Sequence, residues 1–138
     1  MKNMSERDLQ ELVESFALFD TWEDRYRYLI DLGGRVEPLD TLLKTDESLV
    51  KGCTSRVWLV AGVKDGIFHF VADSDAKIVK GLIHVLEVAY QDKTIPEVLA
   101  VDIDAAFSQL GLDQHLSPNR RNGFFSMVEK IKVLAQAS

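Results

Sequence analysis

Cys53 is the one cysteine among 138 residues, and it sits in the stretch Lys51-Gly52-Cys53-Thr54-Ser55-Arg56-Val57-Trp58. A lone thiol can neither close an internal disulfide nor build a multi-cysteine metal site. Its neighbours are a glycine that loosens the backbone, two small hydroxyl residues, and a cation on either side, Lys51 and Arg56. Such a setting serves apolar packing poorly and a reactive thiol well, because nearby cations favour the thiolate. The electrostatic gain alone is small. Lowering a thiol pKa from ~8.5 to ~7 raises the thiolate fraction roughly 16-fold at neutral pH, and lost nucleophilicity at a Brønsted slope of ~0.45 takes back about 5-fold. Access and docking geometry must supply the rest. The competing reading is a structural thiol, since free cysteine is among the most buried residue types.

Other chemistry-bearing residues are sparse. The histidines are His69, His84 and His115. No pair has metal-ligand spacing, and one cysteine with three scattered histidines is weak support for zinc. His69 and His84 fall in an expected strand and an expected core helix, where a histidine satisfied by hydrogen bonds is the ordinary explanation. A small hydrolase pairing Cys53 with His115 is permitted by the residue types, but no recognisable nucleophile segment surrounds the cysteine. Asp73-Ser74-Asp75 reads as a helix N-cap, where negative charge is favoured by the helix dipole; Asp75 stays open to a further role. Arg120 and Arg121 fall in the first turn of the last helix, where positive charge is mildly unfavourable, and residues that break a local preference are candidates for function. Gly123 costs ~1 kcal/mol against alanine inside a helix. It suggests a close backbone approach, for which the Cys53 loop is a candidate.

The chain is long enough for one compact domain, spanning residues 1–138. A formal net charge of -6 argues against general nucleic-acid binding and leaves room for docking on a basic partner surface. No apolar run approaches the ~20 residues that span a bilayer, and the first residues show no secretory signal. One free cysteine without an export signal points to the cytoplasm.

Several elements must position the thiol. Ser5-x-x-Asp8 opens a first helix that buries Leu9, Leu12, Val13 and Phe16 and stops near Phe19-Asp20. Thr21-x-x-Asp24 caps a second, with Trp22, Tyr26, Leu29 and Ile30 on its apolar stripe and Gly33-Gly34 at its end. Residues 35–51 read as a long loop with a helical turn near Pro38–Leu43. Val57–Val63 and Ile67–Ala72 form a hairpin around Lys64-Asp65-Gly66, and Ser48-Leu49-Val50 is a candidate third strand. A nearly all-apolar helix over 76–90 is the expected core. Thr94-Ile95-Pro96-Glu97 begins a short helix, and another starts near Asp104 and closes near Gly111. Ser117-Pro118 caps the last, which turns Phe124, Met127, Val128, Ile131 and Leu134 inward. Bunched strands between helices favour an α+β fold with a small antiparallel sheet.

Four segments, in order along nearly the whole chain, resemble the SufE family of sulfur acceptors. They are Trp22-Glu23-Asp24-Arg25-Tyr26 with Leu32-Gly33; Val50 to Trp58; Asp73-Ser74-Asp75-Ala76-Lys77-Ile78-Val79-Lys80-Gly81-Leu82; and His115-Leu116-Ser117-Pro118-Asn119-Arg120-Arg121-Asn122-Gly123. The resemblance implies a fold similar to that of iron–sulfur scaffold (IscU-like) proteins. It implies binding to a pyridoxal-phosphate cysteine desulfurase and transfer of its persulfide sulfur to Cys53. The sulfur would then pass to a scaffold that builds iron–sulfur clusters, or to another sulfur-using enzyme. The protein would activate a desulfurase rather than act as a stand-alone enzyme. It would hold no metal and no cofactor beyond a transient persulfide, the pyridoxal phosphate being the partner's. Lys51, Gly52, Arg56, Asp75 and Arg120 would serve docking or loop control, with Asp75 and Arg120 matching the family's Asp-Ser-Asp and Pro-x-Arg segments.

Overall fold

The computed structural model describes residues 5–52 and 55–137, with side chains from residue 9 onward. The proposed cap at Ser5 and Asp8 therefore falls on side chains outside this description, as do Cys53 and Thr54. Two helices, α1 (Ser5–Ala17) and α2 (Trp22–Gly33), precede a single 3-10 turn at Thr41–Leu43. The hairpin follows as β1 (Val57–Lys64) and β2 (Ile67–Ser74), then α3 (Lys77–Tyr90) and a two-residue β3 (Lys93–Thr94). Three short helices, α4 (Ile95–Ala100), α5 (Ile103–Gln109) and α6 (Leu112–His115), lead to the long α7 (Pro118–Gln136). The sheet has the order β1-β2-β3 and is antiparallel throughout. This is the expected α+β arrangement.

Local chemistry explains most boundaries. Thr21 Oγ1 accepts the Asp24 N–H and starts α2. Thr94 and Glu97 form a reciprocal capping box at α4. Ser117 Oγ accepts the Arg120 N–H, with Pro118 at the first helical position of α7. Apolar faces then converge. Buried Phe16, Leu29 and Leu32 meet an α3 that is buried on nearly every side, from Ile78 to Tyr90. Across the hairpin, Leu59, Phe68 and Phe70 join Phe124, Met127 and Ile131 of α7 in the same core.

The glycines between α2 and α3 are a packing requirement. A Cβ on Gly81 would overlap the Leu29 carbonyl oxygen, and one on Gly33 would stand 2.8 Å from the Gly81 nitrogen. The expected end of α2 at Gly33-Gly34 is observed, with Gly34 at φ -68 in ordinary helical backbone.

Two expectations are corrected. Asp73 and Ser74 are not caps of α3: they are the last residues of β2, in register with Trp58 and Val57. The cap position of α3 is Ala76, with no side-chain cap bond. Asp73 is instead claimed by four partners. It is 2% exposed; its carboxylate accepts the Leu39 N–H at 3.0 Å and the Ser74 N–H at 2.8 Å. The ammonium groups of Lys44 and Lys80 lie 3.4 and 3.5 Å away. Next, Ser48–Val50 makes only a bridge, Leu49 opposite Trp58; the third strand is β3, paired with Ile67 and Phe68. Two residues are too few to show any hydrophobic period. The helix expected to start near Asp104 begins at Ile103, where the Asp102 side chain accepts the Ala105 N–H. The turn expected near Pro38–Leu43 is present as the 3-10 turn, with Asp40 accepting the Leu42 N–H.

Burial by itself would raise the Asp73 pKa; the two backbone donors and the two lysine charges outweigh it and hold the carboxyl below its usual range. A depressed carboxyl stabilises the fold fully above about pH 5, and that contribution is lost as pH falls through ~3.9 toward the lower folded-state value. Asp73→Asn is therefore expected to cost about 2–4 kcal/mol in urea unfolding at pH 7. It should also flatten the acid limb of the stability curve; a variant as acid-sensitive as wild type would contradict this.

Candidate functional site

The segment leading to Cys53 is laid along α7. At its start, Ser48 Oγ–H donates to the Leu43 carbonyl at 2.7 Å, and the Thr45 N–H donates back to Ser48 Oγ at 3.0 Å, closing a compact turn. Carbonyls 47, 48 and 49 then converge on the Lys130 ammonium at 3.3, 3.2 and 3.3 Å. Val50 N–H donates to the Val57 carbonyl at 2.8 Å, and Leu59 N–H to the Ser48 carbonyl at 2.8 Å, so the strap also hangs on the edge of β1. Lys51 and Gly52 follow, both exposed.

Gly52 has φ +90, where only glycine is at ease, and a Cβ there would stand 2.7 Å from Ser126 Oγ. The glycine before the thiol thus both turns the chain and lets it lie against α7. The approach to Gly123 expected from the Cys53 loop falls on residues outside the description. Gly123 itself is buried and lines the cavity beside Ser55.

On the far side of the cysteine the chain is held again. Arg56 N–H donates to Asp75 Oδ1 at 3.2 Å, and the Asp75 N–H donates to the Arg56 carbonyl at 3.3 Å. Ser74 Oγ–H reaches the same carbonyl at 2.8 Å. Asp75 therefore holds the backbone just past the cysteine, while Lys51 and Arg56 are solvent-exposed.

Between these anchors lies a cavity of about 230 Å³. Val57, Val79, Leu82, Phe124 and Met127 make its apolar wall; Ser55, Ser117, Asn119 and Arg120 make its polar rim. Arg120 Nη1 is buried there with no hydrogen-bond partner among the described residues. A buried guanidinium nitrogen without a partner beside an apolar hollow is suited to an anion. Arg121 does not share this site: its Nη2 donates to the Asp113 carbonyl at 2.9 Å, tying α7 to α6.

The histidines stand elsewhere. His69 Nδ1 pairs with Asp92 at 2.7 Å on the surface. His84 Nδ1 lies 3.3 Å from Glu87 Oε1 without hydrogen-bond geometry. His115 stacks face to face on Trp22, ring centroids 4.7 Å apart. Among the described residues no group of three or more His, Cys, Asp or Glu is placed to hold a metal ion, and no helix is long and apolar enough to cross a membrane.

Sequence reasoning missed Lys130 and Ser126. Their spacing of four puts them on one face of α7, but a lysine in an amphipathic helix ordinarily reads as solvated, and nothing local signals three carbonyls some eighty residues away.

Gly52→Ala is expected to lose about 1–2 kcal/mol in urea unfolding from the positive φ, with a further loss from the Ser126 contact. Adding Ser126→Ala should recover only the contact share; complete recovery would show that backbone conformation is not the constraint.

Residues 10–135 match the family model described as "SufE: Fe-S metabolism associated domain". An uncharacterized SufE-like protein of Rhizobium meliloti is 38% identical over 132 residues, covering 93% of this chain and 94% of that protein. Another, from Rhizobium etli, is 41% identical over 128 residues, covering 90% and 86%. The solution structure of a hypothetical protein from Thermus thermophilus superposes with a TM-score of 0.76 at 20% identity, covering 95% of this chain and 97% of that one, which is a likeness of fold. With this family match running from α1 to the end of α7, the chain belongs to the SufE family, whose domain is associated with iron–sulfur metabolism.

Proposed function

We propose that the protein is a cytoplasmic sulfur acceptor: Cys53 takes sulfane sulfur from the persulfide of a pyridoxal-phosphate cysteine desulfurase and passes it on for iron–sulfur cluster assembly. The family's association with iron–sulfur metabolism supports the general role. The observation that carries the finer reading is the cavity beside Ser55, apolar within and rimmed by Arg120, whose buried Nη1 has no hydrogen-bond partner among the described residues.

The chemistry is an exchange without net oxidation. The Cys53 thiolate attacks the outer sulfur of the desulfurase persulfide. The old S–S bond breaks, the new one forms on Cys53, and the desulfurase cysteine leaves as thiolate. The proton of the outer sulfur travels with it or is lost to solvent, since a persulfide is a stronger acid than a thiol. A persulfide anion needs two things: shelter from other thiols, which an apolar cavity offers, and a cation, which Arg120 offers. Asp75 and Gly52 fix the chain on either side of the reacting residue, and the exposed Lys51 and Arg56 remain free to meet a partner. One cysteine can carry sulfur but supplies too few thiolates for a cluster.

Clearing the persulfide should speed the desulfurase. Wild-type protein is expected to raise alanine release from L-cysteine several-fold, and Cys53→Ser to leave the desulfurase at its basal rate. Full stimulation by Cys53→Ser would contradict sulfur acceptance and make the protein a docking module with an incidental thiol. Stimulation of one desulfurase and not its paralogue would name the partner.

A further inference from the structure

The strap and α7 run antiparallel, and their contacts fall at helical intervals. Lys130 lies under carbonyls 47–49, Ser126 against Gly52, and Gly123 and Arg120 at the cavity by Ser55. These α7 positions are spaced by three or four residues, so they share one face. An ammonium has three N–H donors, and Lys130 directs its own at three successive carbonyls of a segment more than eighty residues away. No carboxylate pairs with it among the described residues, so the charge is held by strap backbone. Charge-assisted bonds of this kind exceed neutral ones in strength. A lysine used only for solubility would point to water.

We propose that Lys130 is a positioning residue for sulfur transfer: its ammonium fixes the strap that delivers Cys53, and so sets the rate of the transfer step rather than the affinity for the desulfurase. This inference rests on the acceptor reading above. Lys130 touches no reacting atom. Its effect passes through carbonyls 47–49 and the three residues between them and the cysteine. Without the ammonium the strap would be held, among the described residues, only by its Ser48 turn and its two bonds to the β1 edge, and misplacement of about 1 Å in a reacting group can cost on the order of 100-fold in rate.

The test uses the full-length protein as wild type, Lys130→Met, which keeps the stem and removes the charge, and Lys132→Met as a charge-matched control on the same helix. Amide hydrogen exchange is read on a peptide covering residues 45–52. Single-turnover transfer is read from a persulfide-loaded desulfurase at increasing concentration. Lys130→Met is expected to speed exchange of the strap by about tenfold and lower the maximal transfer rate by about tenfold, the factor that ~1.4 kcal/mol confers. The half-saturating desulfurase concentration should move less than about twofold, exchange in α3 and β2 should stay at wild-type rates, and Lys132→Met should behave as wild type. Unchanged strap exchange overturns the inference. So does a loosened strap with an undiminished maximal rate, which would make Lys130 a structural tether alone, and so does a change confined to half-saturation. A wild-type protein that takes no sulfur overturns the acceptor reading instead, and the exchange arm then decides by itself whether Lys130 fixes the strap.

Discussion

A single buried carboxylate ties the irregular half of this protein to the regular half. Asp73 ends β2 and accepts N–H groups from its own strand and from Leu39, thirty-four residues earlier in the chain. Lys44 and Lys80 bring their charges to it from the loop and from α3. Lys44 reaches further, lying 5.0 Å over the Trp58 ring of β1. The long stretch after α2, which has no ladder of its own, is thereby fastened to sheet and helix at once. Burying a carboxylate is costly unless it is paired and hydrogen-bonded, and here every partner comes from an element that needs fixing. That node fastens the chain just upstream of the Ser48 turn at which the strap begins.

From the node the chain is held at short intervals until it reaches the cysteine, and again just after it. The Ser48 turn, the Lys130 ammonium, the pair of bonds to the β1 edge and the Gly52 contact with Ser126 come before; the Asp75 and Ser74 bonds to Arg56 come after. Burial first, and the neighbouring Lys51 charge second, hold the Lys130 ammonium below the usual lysine range. That is the consequence of placing a cation where backbone carbonyls need it rather than where water favours it. A chain held on both sides of Cys53, near an apolar cavity where Arg120 Nη1 has no hydrogen-bond partner among the described residues, is the frame that the proposed sulfur transfer calls for.

Periodicity and capping made much of the architecture legible. The hairpin, the buried α3, the Thr21 and Ser117 caps and the inward face of α7 follow from patterns of three to ten residues. Asp-Ser-Asp before an apolar helix has the signature of an N-cap, yet strand register and the long-range claim of Leu39, Lys44 and Lys80 override it. β3 left no pattern because two residues have no period. Of the site, Gly52, Arg56, Asp75 and Arg120 stood out through local oddities or family segments. Lys130 did not, because its role is defined only by carbonyls that the fold brings to it.

The most direct measurement of the central claim is the intact mass of the protein after incubation with an active cysteine desulfurase and L-cysteine, without reductant, for wild type and Cys53→Ser. The account requires a gain of one or more sulfur atoms on wild type, reversed by reductant and absent from Cys53→Ser. No gain, with a desulfurase shown to be turning over and bound to the protein, would contradict it.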